Sequence, residues 1–307
     1  MGRILLIRGG ALGDFVLTLP VLAALRTRFP DARVEVLGYP HIARLALAGD
    51  LAHAVHAIEA RPLARFFARG TALDPGVSAF FAGFAVIVSF LYDPDAIFRE
   101  NVAACTRAQF LVGPHRPAET GDSHAADTFL TPLERLAIFD ADATPRLGLT
   151  PTPPGPGRWI AAHPGSGSDA KNWPERGWAQ ILARIVAESD RNVLLVGGEA
   201  EGDRLERLAS QLPADRIRTA RSLPLDSLGS LLRGCDLFVG HDSGITHLAA
   251  AVGLPCVALW GPSNSKIWRP RGNHIVLVQD ECGLPGLSPT AVWEVLRRHL
   301  LALPEPA

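Results

Sequence analysis

Short apolar runs recur along the whole chain, and segments with helical spacing separate them. Such runs are typical of buried strands, and their alternation with helices predicts a parallel α/β sheet. In the first half we predict strands at residues 3–8, 33–39, 54–58, 84–90 and 110–113. In the second half we predict strands at residues 159–163, 192–198, 217–220, 236–240, 256–260 and 275–278. Apolar periodicity predicts helices at residues 15–29, 176–188, 201–212, 225–233 and 290–301.

The alternation is interrupted once, by a proline- and glycine-rich segment at residues 151–157. A segment of this composition can form neither a helix nor an inner strand, so we interpret it as an interdomain linker. The sequence therefore predicts two doubly wound, Rossmann-like domains facing each other across a cleft, residues 1–150 and 151–307. The last helix, residues 290–301, is a candidate to pack back on the first domain.

Composition narrows the class of protein. The chain has 307 residues and a net charge of −1, which gives no sign of a nucleic-acid binder held by bulk electrostatics. The four cysteines are far apart, which is typical of reduced thiols in a cytosolic protein. The first apolar run is too short for a signal peptide, and no apolar stretch approaches the roughly 20 residues of a membrane span. Peripheral membrane contact stays open.

The first candidate site is the turn Gly9-Gly10-Ala11-Leu12-Gly13-Asp14, which follows the first predicted strand. Glycines at a strand-to-helix turn let a ligand approach the backbone closely. The spacing is not Gly-x-Gly-x-x-Gly, so we do not expect a nicotinamide cofactor. Asp14 is either an acid that caps the following helix or a carboxylate base, and spacing alone favours the capping role.

The second candidate site is the loop His163-Pro164-Gly165-Ser166-Gly167-Ser168-Asp169-Ala170-Lys171-Asn172-Trp173-Pro174. Small residues, hydroxyls and an ammonium can surround phosphate oxygens, which points to Ser166, Ser168 and Lys171. The alternative is a solvated loop in which serine and aspartate merely form turns. Only two lysines occur in this arginine-rich chain, which favours a role for Lys171.

Two further strand ends carry polar side chains. Glu199 follows Gly197-Gly198 and could accept hydrogen bonds from a ribose or a base edge, or could cap the next helix. The stretch 241–251 places Asp242, Ser243 and Gly244 where a strand ends and a helix begins, with His247 one turn later. Helix capping would explain the first two, but this position in a parallel sheet favours binding of an anionic ligand.

Other chemistries find little support in the sequence. Asp93-Pro94-Asp95 matches the short Asp-x-Asp pattern of metal-dependent sugar-nucleotide enzymes, but a pattern this short is common in loops. The ten histidines lack zinc-site spacing, and no Gly-x-Ser-x-Gly marks a hydrolase nucleophile. We therefore predict no metal site.

Three of these motifs together resemble the glycosyltransferase family 9 heptosyltransferases of lipopolysaccharide core assembly. They are residues 8–14 with the continuation Leu17-Thr18-Leu19-Pro20, the loop 163–174, and Asp242-Ser243-Gly244-x-x-His247-Leu248-Ala249-Ala250-Ala251. The resemblance implies a GT-B fold. It also implies inverting transfer of a heptose from a nucleotide-heptose, usually ADP-heptose, without an essential metal or other cofactor.

The resemblance also implies roles for individual residues. Asp14 matches the catalytic base, and Gly9, Gly10 and Gly13 form the acceptor-side turn around it. The donor-binding residues would be Ser166, Ser168, Lys171, Glu199, Asp242, Ser243, Gly244 and His247. The chain departs from the family at Gly9 and Gly10, where polar residues are common, and at Ser89-Phe90, where many members carry an acid. The acceptor half is thus the less well matched.

The implied partners are a nucleotide-sugar donor and a lipopolysaccharide-core or other glycan or glycolipid acceptor. The implied location is the cytoplasm, with peripheral contact at the cytoplasmic face of the inner membrane left open. The sequence does not fix the oligomeric state. Two alternatives remain: a nucleotide-sugar epimerase or hydrolase on the same fold, and a sugar-nucleotide-binding protein without turnover.

Overall fold

The computed structural model describes residues 2–168 and 171–302. The chain divides into two compact units, Met1–Leu147 and Gly148–Ala307. Each unit contains one sheet whose paired strands are all parallel. This confirms the predicted α/β class.

The first unit has a five-stranded sheet of order β3-β2-β1-β4-β5. Its strands are β1 (Arg3–Arg8), β2 (Arg33–Gly38), β3 (Ala54–Ala57), β4 (Val86–Ser89) and β5 (Gln109–Val112). Its α-helices are α1 (Leu12–Arg28), α2 (Pro40–Ala48), α3 (Pro75–Ala82), α4 (Ile97–Ala103) and α5 (Ala125–Leu130). Two 3₁₀ segments, Arg61–Phe67 and Thr131–Leu136, complete it.

Strand β1 lies at the centre of this sheet, and its apolar residues are therefore buried on both faces. Leu5 and Ile7 pack in a core with Phe66, Phe81 and other apolar residues. The chain moves outward from β1 through β2 to β3 and then returns to pair β4 on the other side of β1. The carboxyl ends of β1 and β4 therefore lie at a topological switch point, where open α/β sheets bind ligands.

The second unit has a six-stranded sheet of order β11-β10-β9-β6-β7-β8. Its strands are β6 (Trp159–His163), β7 (Asn192–Gly197), β8 (Ile217–Arg221), β9 (Leu237–His241), β10 (Cys256–Leu259) and β11 (Ile275–Val278). Its helices are α6 (Glu175–Glu188), α7 (Arg204–Ala209), α8 (Leu225–Arg233), α9 (Gly244–Ala251), α10 (Ser265–Trp268) and α11 (Pro289–Ala302). The switch point of this sheet lies between β6 and β9.

Helix α11 contributes to the core of the second unit. Its residues Val292, Trp293 and Leu296 are buried among apolar side chains of the sheet and of α6. Within the described residues, no helix is long and apolar enough to cross a membrane.

One predicted helix is wrong. Residues 201–212 were expected to form a single helix, but a 3₁₀ turn at Glu199–Glu201 comes first and α7 begins only at Arg204. The Glu201 carboxylate turns back to accept the N–H of Gly198, and Gly202 adopts a φ of 52°. A residue with a positive φ cannot continue a right-handed helix, so the two segments are separate.

Candidate functional site

All but one of the donor-side residues predicted from sequence lie on the two segments that follow β6 and β9, at the switch point of the second unit; the exception, Glu199, follows β7. The loop 164–174 leaves β6, the turn Asp242-Ser243 leaves β9, and these two strands are hydrogen-bonded neighbours. Lys171 Nζ lies 2.6 Å from Asp242 Oδ2, which joins the loop to the turn. Asp242 is buried and the Lys171 side chain is partly exposed, so the ammonium is held at the edge of the site.

Ser166 organises the loop from within. Its Oγ lies 2.8 Å from the carbonyl oxygen of Ser168 and 2.9 Å from Asn172 Oδ1. The Ser168 carbonyl also accepts the N–H of Lys171 at 3.0 Å, while Ser168 itself is exposed. Asp169 and Ala170, which belong to the same motif, lie outside the described residues.

The turn after β9 caps the start of α9. Ser243 is the N-cap of this helix, and its Oγ accepts the N–H of Thr246 at 3.4 Å. Gly244 is the first helical residue, and His247 is buried one turn later. The first N–H groups of a helix lack intrahelical partners and favour an anion, so this end of α9 suits a phosphate.

His241, the last residue of β9, was not predicted as a site residue. It is fully buried, and its Nε2 accepts the backbone N–H of Trp173 at 2.8 Å and Trp178 Nε1–H at 3.2 Å. Its Nδ1 lies 3.2 Å from the Gly165 carbonyl oxygen and donates to it, because Nε2 already accepts. Burial lowers the pKa of His241 to about 3, so the ring is neutral. Its hydrogen bonds to Gly165 and Trp173 hold both ends of the loop.

Two further buried residues beside the loop, His163 and Glu201, were also not predicted as site residues. His163 donates Nδ1–H to the Val196 carbonyl at 2.9 Å, and burial lowers its pKa. Glu201 is buried against Gly165, where an added Cβ would lie 1.9 Å from Glu201 Oε1. Glu199, which sequence pointed to instead, is exposed. The signal for Glu201 was weak, because a helix was expected at that position.

The first unit contains a cavity of about 410 Å³ at its own switch point. Its lining includes Gly9, Gly10 and Asp14 from the glycine-rich turn. Gly10 has a φ of 96°, a conformation that glycine adopts without strain. Gly13 and Asp14 lie in the first turn of α1, and Asp14 Oδ2 accepts the N–H of Ala11 at 3.3 Å. Asp14 thus caps the helix and also reaches a ligand-sized cavity, so the two roles are compatible.

Arg8 is a buried residue of the cavity lining. Nη1 donates to the His115 carbonyl at 2.9 Å, and Nη2 lies 3.7 Å from Asp14 Oδ1. Nε and Nη2 are buried without a hydrogen-bond partner among the described residues. Burial lowers the pKa of Arg8 to about 10, against a smaller opposing effect of Asp14. The guanidinium therefore remains a cation at neutral pH, close to the Asp14 carboxylate.

The Asp93-Pro94-Asp95 motif has a structural use. Asp93 Oδ1 accepts the N–H of Phe98 at 3.1 Å, and Oδ2 accepts that of Arg99 at 3.0 Å. Both oxygens thus cap the start of α4. In residues 2–168 and 171–302, no three His, Cys, Asp or Glu side chains are grouped to hold a metal ion.

The two parallel-sheet units define the GT-B class of glycosyltransferase folds. Solved structures share this fold over nearly the whole chain. A glycosyltransferase family 9 protein from Veillonella parvula superposes with a TM-score of 0.79 and 18% identity, covering 98% of each chain. The Escherichia coli ADP-heptose lipopolysaccharide heptosyltransferase II gives a TM-score of 0.77 and 18% identity, covering 98% of this chain and 99% of that one.

Sequence comparison points to the same family of proteins. The model of glycosyltransferase family 9 (heptosyltransferase) matches residues 140–287, which contain every residue predicted for the donor side. This segment, just under half of the chain, is thus similar to glycosyltransferase family 9. Lipopolysaccharide heptosyltransferase 1 of Salmonella typhimurium is 29% identical over 126 residues, 41% of this chain and 39% of that protein. The chain thus spans about two fifths of this curated relative.

Proposed function

We propose that this protein is an inverting, metal-independent glycosyltransferase. It transfers a heptose from ADP-heptose to a lipopolysaccharide-core or other glycan acceptor. One observation carries the proposal: an ammonium and a carboxylate, Lys171 and Asp242, meet beside the start of α9 at the switch point of the second sheet. The family 9 match covers this same segment.

The donor side suits a diphosphate. Lys171 supplies a positive charge, and the first N–H groups of α9 supply donors that need an anionic partner. The leaving nucleoside diphosphate gains charge as its bond to the sugar breaks, and preorganised donors of this kind stabilise that charge. Asp242, Ser243 and Gly244 would contact the donor, Ser166 and Ser168 would shape the phosphate loop, and Glu199 and His247 would lie on the nucleotide side.

The acceptor side centres on Asp14. In an inverting transfer, a base takes the proton of the acceptor hydroxyl while its oxygen bonds to the anomeric carbon. The bond from that carbon to the diphosphate oxygen breaks on the opposite face, which inverts the configuration. Asp14 has the carboxylate for this step and lines a cavity with the glycines of the turn.

We place the reaction in the cytoplasm, where the four free cysteines would remain reduced. A lipid-linked acceptor would bring the enzyme to the inner face of the membrane, so a peripheral contact there is part of the proposal.

The proposal is tested first by donor binding. ADP-, UDP- and GDP-sugars are compared by thermal shift, and ADP-heptose is expected to bind best. At 100 times its dissociation constant it should stabilise the protein by about 2.7 kcal/mol. Failure of every nucleotide sugar to bind would contradict the proposal.

Turnover is then followed with ADP-heptose, with and without heptose-free lipopolysaccharide. We expect a heptosylated product only when the acceptor is present. Rapid consumption of the donor alone would indicate an epimerase or hydrolase, and binding without a product against any acceptor would indicate a binding protein.

A further inference from the structure

Exposed aromatic rings are concentrated around the cavity that contains Asp14. Among the exposed large apolar side chains of the described residues, four are aromatic: Tyr39, Phe67, Tyr92 and Phe139. The first three line this one cavity. The chain has only two tyrosines, and both are among them. An apolar surface left exposed in one place indicates a ligand site more often than a chance arrangement.

Each of the three rings is braced by a second ring. Tyr92 lies against His115 with ring centroids 4.7 Å apart, Phe67 lies against Phe98 at 4.8 Å, and Tyr39 lies near His41 at 5.9 Å. Because each exposed ring is supported from one side, it loses little conformational freedom when a ligand covers the other side. Supported rings of this kind form a rigid binding surface.

Tyr92 is the most exposed of the three, at 70% of its full surface. It follows the end of β4, so the fold carries it to the switch point of the first sheet beside the glycine-rich turn. A ring exposed to this extent adds nothing to the core. Its place in the cavity lining leaves the ring accessible to a ligand.

We propose that this cavity binds a sugar ring by stacking, with Tyr92 as the main platform and Tyr39 and Phe67 as flanking walls. A sugar ring has faces of C–H groups, which pack on aromatic rings, and hydroxyls at its edge, which need polar partners. The cavity offers both, since Asp14, Glu59, His115 and Arg116 line it together with the aromatic rings. Its volume of about 410 Å³ lies within the range of ligand sites, roughly 300–1,000 Å³.

Identification of this sugar as the acceptor of the transfer rests on the proposed function. Tyr92 then determines acceptor specificity, because it selects sugars with an unobstructed apolar face. It takes no part in proton transfer, so its removal should affect acceptor binding and leave donor binding intact.

The test measures binding directly, so that it does not depend on turnover. The deacylated oligosaccharide of heptose-free lipopolysaccharide is titrated into the full chain by calorimetry. We expect Tyr92→Ala to weaken its binding about 3- to 12-fold and Tyr92→Phe, which keeps the ring, to bind within about twofold of the parent. Saturation-transfer NMR should show the ring C–H protons of the sugar in contact with the parent protein, with the signal reduced in Tyr92→Ala.

Phe139→Ala is the matched control, since Phe139 is also 70% exposed but lies outside the cavity lining. It should bind the oligosaccharide as the parent does, and all variants should bind ADP equally. Equal oligosaccharide affinity in Tyr92→Ala and the parent, or no binding by the parent, would overturn the inference. Sugar binding through Tyr92 without any transfer from ADP-heptose would instead contradict the proposed function and leave this inference standing.

Discussion

Lys171 Nζ is paired with Asp242 Oδ2 at 2.6 Å, so the lysine of the segment after β6 is engaged by a carboxylate of the turn after β9. The pair links the segment after β6 to the segment after β9, and this fixes the ammonium at the switch point. A donor diphosphate would have to share or displace the Asp242 carboxylate. The pair therefore holds the Lys171 ammonium in position near the start of α9.

Loss of the Lys171 charge should weaken nucleotide binding. In Lys171→Met we expect the dissociation constant for ADP to rise about 10- to 100-fold, because a charge-assisted hydrogen bond contributes about 1.5–3 kcal/mol. Titration calorimetry measures the change. Arg297→Met is a suitable control, since it removes a cation from an exposed pair with Glu294 on α11. Equal ADP affinity in Lys171→Met and this control would show that Lys171 does not bind the phosphates.

Gly165 should not tolerate a side chain. A Cβ there would lie 1.9 Å from Glu201 Oε1, so Glu201 or the loop must move. We expect Gly165→Ala to lower the free energy of unfolding of the second unit by about 1–3 kcal/mol and to weaken ADP binding. Tryptophan fluorescence reports on this unit alone, because all six tryptophans lie after residue 158.

Gly167 provides the control for that substitution, because an added Cβ would meet no described atom within 4 Å. Gly167→Ala should have unchanged or slightly higher stability and parental ADP affinity. If the two alanine variants behaved alike, the packing of Glu201 against Gly165 would not hold the loop.

His241 should make the second unit less stable in acid. The folded imidazole stays neutral down to about pH 3, whereas in the unfolded chain it gains a proton near pH 6.5. Between these values the unfolded state binds more protons, so stability falls as the pH is lowered, by up to about 1.4 kcal/mol per pH unit. Urea unfolding followed by tryptophan fluorescence should show a flatter dependence in His241→Gln, which cannot titrate.

The variant itself should be less stable at pH 7.5, because glutamine cannot reproduce all three hydrogen bonds of His241. The exposed His274 has a φ of 60° that asparagine accepts, so His274→Asn serves as the control and should keep the parental slope. A parental slope in His241→Gln as well would mean that His241 is not the buried neutral group described here.

Much of the fold followed from local sequence patterns. Every predicted strand is present within two residues at its ends, because buried strands of a parallel sheet are short and continuously apolar. The turns at Asp14, Lys171 and Asp242 could be located because glycines, hydroxyls and charges directly follow such runs. Helix 201–212 was wrong because its break depends on a contact of Glu201 with the backbone of Gly198, which periodicity does not report.

The supporting residues of the site could not be predicted in the same way. His241 contacts Gly165 and Trp173 across more than 65 positions of sequence, so only the packed sheet brings them together. The Glu201 carboxylate occupies the space that a side chain at position 165 would fill, so its position depends on glycine there. Tyr92 belongs to no sequence motif. Its proposed role became visible only because the fold places it with Tyr39 and Phe67 around one cavity.

The central claim is that Asp14 acts as the base of a sugar transfer whose donor binds elsewhere, in the second unit. Its most direct test compares Asp14→Asn with the parent in two assays, the initial rate of heptose transfer from ADP-heptose and the dissociation constant for ADP. Asp31→Asn, an exposed aspartate of the same unit, is the control. We expect a rate lower by about 10²–10⁴-fold in Asp14→Asn with ADP affinity unchanged. Transfer by Asp14→Asn at the parental rate would contradict it.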